Sequence, residues 1–136
     1  MAYVLVIEDN TEVRKVLRMV LQRAGHLVND MNHGTCGVAF AQQTQPDVIV
    51  LDLEVHGLNG WAILNQLKMH ARTKHIPVIG ITTQFQLIDR WRVAASGLAT
   101  ILEKPFDIGR ILDSVAELSE YRMGPTDANV ERQCYH

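Results

Sequence analysis

Six side chains in this 136-residue chain are of types that do chemistry together: Glu8, Asp9, Asp52, Thr82, Thr83 and Lys104. Each stands at or just after the end of a short apolar run. Val4-Leu5-Val6-Ile7 runs into Glu8 and Asp9, Val48-Ile49-Val50-Leu51 ends in Asp52, Ile76 to Ile81 ends in Thr82 and Thr83, and Ala99 to Leu102 leads to Lys104. If the runs are neighbouring parallel strands, three carboxylates, two threonine hydroxyls and an ammonium meet at one edge. Clustered carboxylates repel one another unless a cation neutralises them. A hard divalent ion bound through oxygen does so, Mg²⁺ being the usual choice and Mn²⁺ a substitute. A lysine and a hydroxyl beside such an ion suit a transferring phosphoryl group, whose charge is spread over its oxygens. Asp52 is then placed to act as nucleophile and become an acyl phosphate.

Taken singly, every one of these residues has a plainer explanation. Glu8 and Asp9 suit the start of a helix, where acids favour the dipole. Asp52 reads equally as a solvated strand-end acid, Thr82 or Thr83 as a helix cap, and Lys104 as a surface lysine before a turn proline. Their recurrence at successive strand ends is what favours a site.

The elements that must position them follow from the pattern. Asn10 or Thr11 caps a first helix with Val13, Val16, Leu17, Val20 and Leu21 on its apolar face, and Gly25 stops it. Residues 27–31 form a weak second strand. A poorly amphipathic helix follows Gly34 and ends near Thr44. Trp61 to His70 forms the third helix, after the loop Gly57-Leu58-Asn59-Gly60. The fourth helix is expected to carry Leu87, Ile88, Trp91, Ala94 and Ala95 on one face, with Trp91 in the core, and to end at Gly97. The fifth carries Ile108, Ile111, Leu112, Val115 and Leu118. Nearly all-apolar strands alternating with helices argue for a parallel sheet covered on both faces, an open doubly wound α/β fold. Such folds place their site at the carboxyl ends of the strands.

Composition narrows the classes. Length suits one domain, 47% of residues are apolar and the net charge is −2 with no long block of either sign, so nothing suggests nucleic-acid binding. No apolar run approaches the roughly 20 residues of a membrane span, and the N-terminus lacks the basic region of a signal peptide. Cys36 and Cys134 are expected as free thiols in a reducing cytoplasm. The six histidines, His26, His33, His56, His70, His75 and His136, have no metal-ligand spacing. "HGTCG" (33–37) follows no strand in the manner of a phosphate loop.

With these residues in view, the sequence resembles the receiver domain of bacterial two-component response regulators, over roughly residues 3–121. The likeness lies in "VLVIEDN" (4–10), "PDVIVLDLEVHGLNGW" (46–61), "PVIGITT" (77–83) and "GLATILEKPF" (97–106). It implies a flavodoxin-like (βα)5 sandwich with a five-stranded parallel sheet of order 2-1-3-4-5, in a receiver unit at 1–122 followed by a polar tail or linker at 123–136. It implies Asp52 as phospho-acceptor, with Glu8, Asp9, Asp52 and the backbone carbonyl of Glu54 serving the metal. Thr82 and Lys104 would hold phosphoryl oxygens, and the Lys104–Pro105 bond is a candidate cis peptide. The phosphoryl donor would be a sensor histidine kinase or a histidine phosphotransfer protein. Signalling would run through the face of helix four, strand five and helix five to a protein partner that the sequence does not name. The chain is expected to be a monomer or weak homodimer, to bind neither nucleic acid nor membrane, and to autodephosphorylate rather than turn over a substrate.

Four positions depart from the pattern. Ile101 stands where an aromatic is usual, and its branched side chain cannot swing a ring between buried and exposed positions. His56 replaces a common proline, and Thr83 a small residue. Glu54, with Thr83 and Gln84, lies where it would modulate the site, and its side chain is expected near the pocket mouth, influencing water attack on the phosphoryl group. Phe85, off the helix-four stripe, is expected as a partner contact. Three other readings are weighed against this one. A pseudo-receiver that is never phosphorylated fits Ile101 but not the full acidic set. An aspartyl-nucleophile phosphohydrolase would carry its nucleophile on the first strand. A flavodoxin-like mononucleotide binder would need a Ser/Thr/Gly-rich loop where "EDNTEV" stands.

Overall fold

Every residue of the run Val4 to Ile7 is fully buried, and so is every residue of Val48 to Leu51, because each strand packs side chains into a separate layer on either face. In the computed structural model, which describes residues 1–54 and 59–122, these runs form β1 (Tyr3–Ile7) and β3 (Val48–Asp52). They pair in parallel, Val4 opposite Val48 and Ile7 opposite Leu51. β2 (Leu27–Met31) flanks β1, while β4 (Val78–Thr82) and β5 (Thr100–Glu103) extend the sheet beyond β3. All neighbours are parallel and the order is β2-β1-β3-β4-β5. The chain order reverses direction between β1 and β3, so the crevice at their carboxyl ends is the switch point of the fold.

Alternation divides the core. Val4 and Val6, with Val48 and Val50, pack against Leu17 and Leu21 of α1 (Thr11–Arg23) and Ile111 and Val115 of α5 (Ile108–Arg122). Leu5, Ile7, Ile49 and Leu51 face the other way. They meet Val38 and Ala41 of α2 (Gly34–Thr44), and Ile63, Leu64 and Leu67 of α3 (Gly60–Met69). α2 docks despite its weak amphipathicity because its small residues let it come close. A Cβ on Gly37 would stand 2.5 Å from Ile7 Cδ1.

The fourth helix differs from the sequence expectation. Phe85–Leu87 forms a separate 3₁₀ turn, and α4 proper is only Arg90–Ser96, capped by the Asp89 side chain, which accepts from Trp91 N at 2.9 Å. Ile88 is extended between them. A stripe phased across Leu87 to Ala95 therefore spans two elements and does not describe one face. Trp91, expected in the core, is 83% exposed, and Leu87 is 82% exposed. Ala94 and Ala95 are exposed too, whereas Val93 and Ser96 are the half-buried positions. His56, the 57–58 part of the loop before α3, Cys134, His136 and the expected tail at 123–136 lie outside the described residues. Among the described residues no helix is long and apolar enough to cross a membrane.

Candidate functional site

The carboxyl edge of the sheet collects the residues in two groups. The first is centred on Lys104, which follows β5. Its backbone N–H donates to the Thr82 carbonyl at 2.7 Å, tying the chain to the end of β4, and its peptide bond to Pro105 is cis. Its ammonium lies 2.9 Å from Glu8 Oε2 and 3.4 Å from Asp52 Oδ2, and it donates to Glu8 Oε1 at 3.1 Å. Glu8 is fully buried and Asp52 is 1% exposed. Both follow the strand positions that face α1 and α5, so the parity of the strands brings them to one side.

Asp9 is half-buried beside them. One carboxylate oxygen each from Glu8, Asp9 and Asp52 lie within 4.8 Å of one another, and among the described residues this is the one such group that could hold a metal ion. Glu8 Oε2 is buried and makes no hydrogen bond, although the Lys104 ammonium is close. Three acids against one ammonium, with a buried oxygen short of a donor, suit a hard divalent cation. Among the described residues the histidines form no such group. "HGTCG" is the start of α2, where Gly34 lies against Ile63 of α3 and Gly37 against Ile7 of β1.

Burial pushes the Asp52 carboxyl up to about 7, and the neighbouring Glu8 carboxylate adds to this. The Glu54 amide, which donates to Asp52 Oδ1 at 2.9 Å, and the Lys104 charge oppose it. Burial also works against the charge on Lys104, but Glu8 and Asp52 outweigh it and hold the ammonium above its ordinary value.

The second group is centred on Glu54, which is half-buried. Its Oε1 accepts from the Thr82 hydroxyl at 2.9 Å, the Thr83 backbone N–H at 2.9 Å and the Thr83 hydroxyl at 2.7 Å. Burial disfavours its charge, but these donors prevail and lower its pKa. The Thr82 hydroxyl also accepts from Gln84 N at 2.9 Å. Thr82 is buried, and the open cleft of about 350 Å³ is lined by Glu8, Asp9, Asn10, Asp52, Glu54, Thr83 and Lys104. Gly60 packs directly on the backbone of Asp52 and Leu53. A Cβ there would stand 2.5 Å from the Asp52 carbonyl oxygen and 2.3 Å from Leu53 Cα, so α3 can start this close only with glycine.

Ile101 and Phe85 lie away from the cleft. With Ile88, Val93 and Ala94 they line a separate groove of about 630 Å³ between β5 and α4. Two contributors escape the sequence reading. Arg14 donates to the Glu8 carbonyl at 2.9 Å and is itself held by Asp30 at 3.0 Å, bracing the loop that presents Glu8 and Asp9. The Asn10 backbone N–H donates to Glu8 Oε1 at 3.1 Å. Asp30 is 16 residues from Arg14 and joins it only because β2 lies beside β1, so no local spacing signals the pair.

A family model described as the response regulator receiver domain matches residues 4–116. The protein PilH of Pseudomonas aeruginosa is 38% identical over 116 residues, which cover 85% of this chain and 95% of PilH. RpaA of Synechocystis, a DNA-binding transcriptional regulator, is 34% identical over 118 residues; these cover 87% of this chain and 49% of RpaA, so the chain spans about half that relative. Among solved structures, the receiver domain of the sensor histidine kinase PA1611 of P. aeruginosa superposes with a TM-score of 0.80 at 22% identity. That match covers 87% of this chain and 97% of the receiver, whose crystal structure has a magnesium ion coordinated in its active-site cleft.

Proposed function

The chain belongs to the response regulator receiver domain family of two-component systems, signalling modules rather than turnover enzymes, and we propose that within it Asp52 is the phospho-acceptor. The observation that carries this reading is the placement of Asp52: buried at the end of β3, 3.4 Å from Lys104 and grouped with Glu8 and Asp9. Receiver domains take their phosphoryl group from histidine kinases or phosphotransfer proteins, and the proposed donor is a phosphohistidine of that kind. In the transfer an Asp52 carboxylate oxygen attacks phosphorus and the P–N bond to the donor imidazole breaks. The imidazole nitrogen keeps the electron pair and takes a proton from solvent.

Asp52 must be ionised to attack. Burial resists this, while Lys104 and the Glu54 amide favour it. Glu8, Asp9, Asp52 and the Glu54 backbone carbonyl are the proposed holders of Mg²⁺, which would supply charge neutralisation for the phosphoryl oxygens. A Mg²⁺-coordinating receiver of the same fold supports that assignment. Lys104, braced by Glu8, is the proposed partner of one phosphoryl oxygen and Thr82 of another. The readout is assigned to the face of α4, β5 and α5, whose groove includes Ile101 and Phe85.

Intact-protein mass after incubation with acetyl phosphate tests the reading. One added phosphoryl group is expected with Mg²⁺, none in EDTA and none in Asp52→Ala. An adduct that persists in Asp52→Ala would place the acceptor elsewhere.

A further inference from the structure

The Thr82 hydroxyl is already engaged. Its one proton is donated to Glu54 Oε1 at 2.9 Å, and its oxygen accepts from Gln84 N at 2.9 Å. A hydroxyl has a single O–H to give, so Thr82 cannot donate to a phosphoryl oxygen while Glu54 holds it. The Thr83 backbone N–H and hydroxyl converge on the same carboxylate oxygen, at 2.9 and 2.7 Å. Three donors at the end of β4 thus point at one anionic oxygen, the arrangement that an anionic phosphoryl oxygen would itself seek. Glu54 stands two residues beyond Asp52, and its own amide donates to Asp52 Oδ1 at 2.9 Å. The carboxylate and the proposed acceptor therefore share one short stretch of chain.

We propose that Glu54 is an internal stand-in for the phosphoryl group, occupying the Thr82 and Thr83 donors until a phosphoryl group on Asp52 expels it. The inference rests on the reading of Asp52 as phospho-acceptor and adds a positioning residue to it. Two effects act in the same direction. The incoming group competes for donors that Glu54 holds. It also brings about −1.5 to −2 charge beside a carboxylate, and like charges at this range oppose each other. Glu54 thereby lowers the affinity of the site for phosphoryl-like ligands, and its departure frees Thr82 and Thr83 together. The side chain alone is involved, so the backbone carbonyl stays available to a metal in any Glu54 variant.

Beryllofluoride titration of the full chain in Mg²⁺, followed by ¹⁹F NMR, measures this without any turnover. Glu54→Ala is expected to bind about tenfold more tightly than the wild type, the scale of one charge-assisted hydrogen-bond set released. Glu54→Gln keeps an acceptor and loses the charge, and is expected about threefold tighter, between the two. A role in holding the fold alone would weaken binding or leave it unchanged. Equal or weaker binding by Glu54→Ala, with the wild type binding, overturns the stand-in and leaves the Asp52 reading intact. Binding by none of these three chains overturns the Asp52 reading and the stand-in with it. Binding by Glu54→Ala alone is the stand-in at its strongest.

Discussion

α3 and α4 are neighbours on one side of the sheet, yet they are held in different ways. α3 buries Gly60, Ile63, Leu64 and Leu67, and begins against the backbone of Leu53 and Asp52. α4 buries no residue. It is held by half-buried Val93 and Ser96 and by the Arg92 guanidinium, 4.3 Å from the centre of the Trp61 ring. The backbone that carries Asp52 is thus anchored against α3, whereas the segment after Thr83 is held lightly. An element with little buried apolar contact opens at low free-energy cost. α4 is therefore the element of this side expected to open first.

Four measurements sharpen or break this contrast. The largest effect is expected from Leu67→Ala, which empties a fully buried site in α3 and should cost about 2–5 kcal/mol in urea unfolding. A cost below that of any α4 substitution would break the comparison.

Asp52→Asn comes next, in EDTA. The Asp52 carboxyl ionises at about 7 in the folded chain against 3.8 for the free group. Between those values the folded state holds the extra proton, so stability falls as pH rises through that window. The asparagine removes the penalty. With solvent screening taking off about half of the full effect, it should stabilise the chain by on the order of 2 kcal/mol at pH 8 and by little below pH 4. Added Mg²⁺ should then raise the melting temperature of the wild type and leave that of Asp52→Asn unmoved.

Arg92→Ala, which removes the contact to Trp61, should cost about 0.5–1 kcal/mol. It should also speed amide exchange in α4 while leaving α3 protected. The smallest effect belongs to Trp91→Ala, expected within about 0.5 kcal/mol because the ring is in water. A loss of 2 kcal/mol or more there would restore the core role that the apolar stripe suggests.

The sequence was legible where local pattern and burial agree. β1, β3 and β4 are short, largely apolar runs buried on both faces, the pattern of central parallel strands. Asn10 and Gly25 bound α1 through ordinary cap chemistry, with the Asn10 side chain accepting from Val13 N and Gly25 at a φ of +94°. The fourth helix was not legible, because a stripe counted from Leu87 presumes one helix. The Asp89 cap starts a new one two residues past the end of the 3₁₀ turn at Leu87.

By itself the sequence determined a doubly wound parallel fold and the meeting of acids, hydroxyls and a lysine on one edge, since strand ends must gather wherever parallel strands pair. Only the tertiary structure decided which of those groups touch. Lys104 binds Glu8 and Asp52 across separations of 96 and 52 residues. Arg14 of α1 reaches Asp30 of β2, and Glu54 takes the hydroxyl of Thr82. Each contact is set by strand order and side-chain parity acting over long separations, and hydrogen bonds choose among partners only once packing has brought those partners within reach.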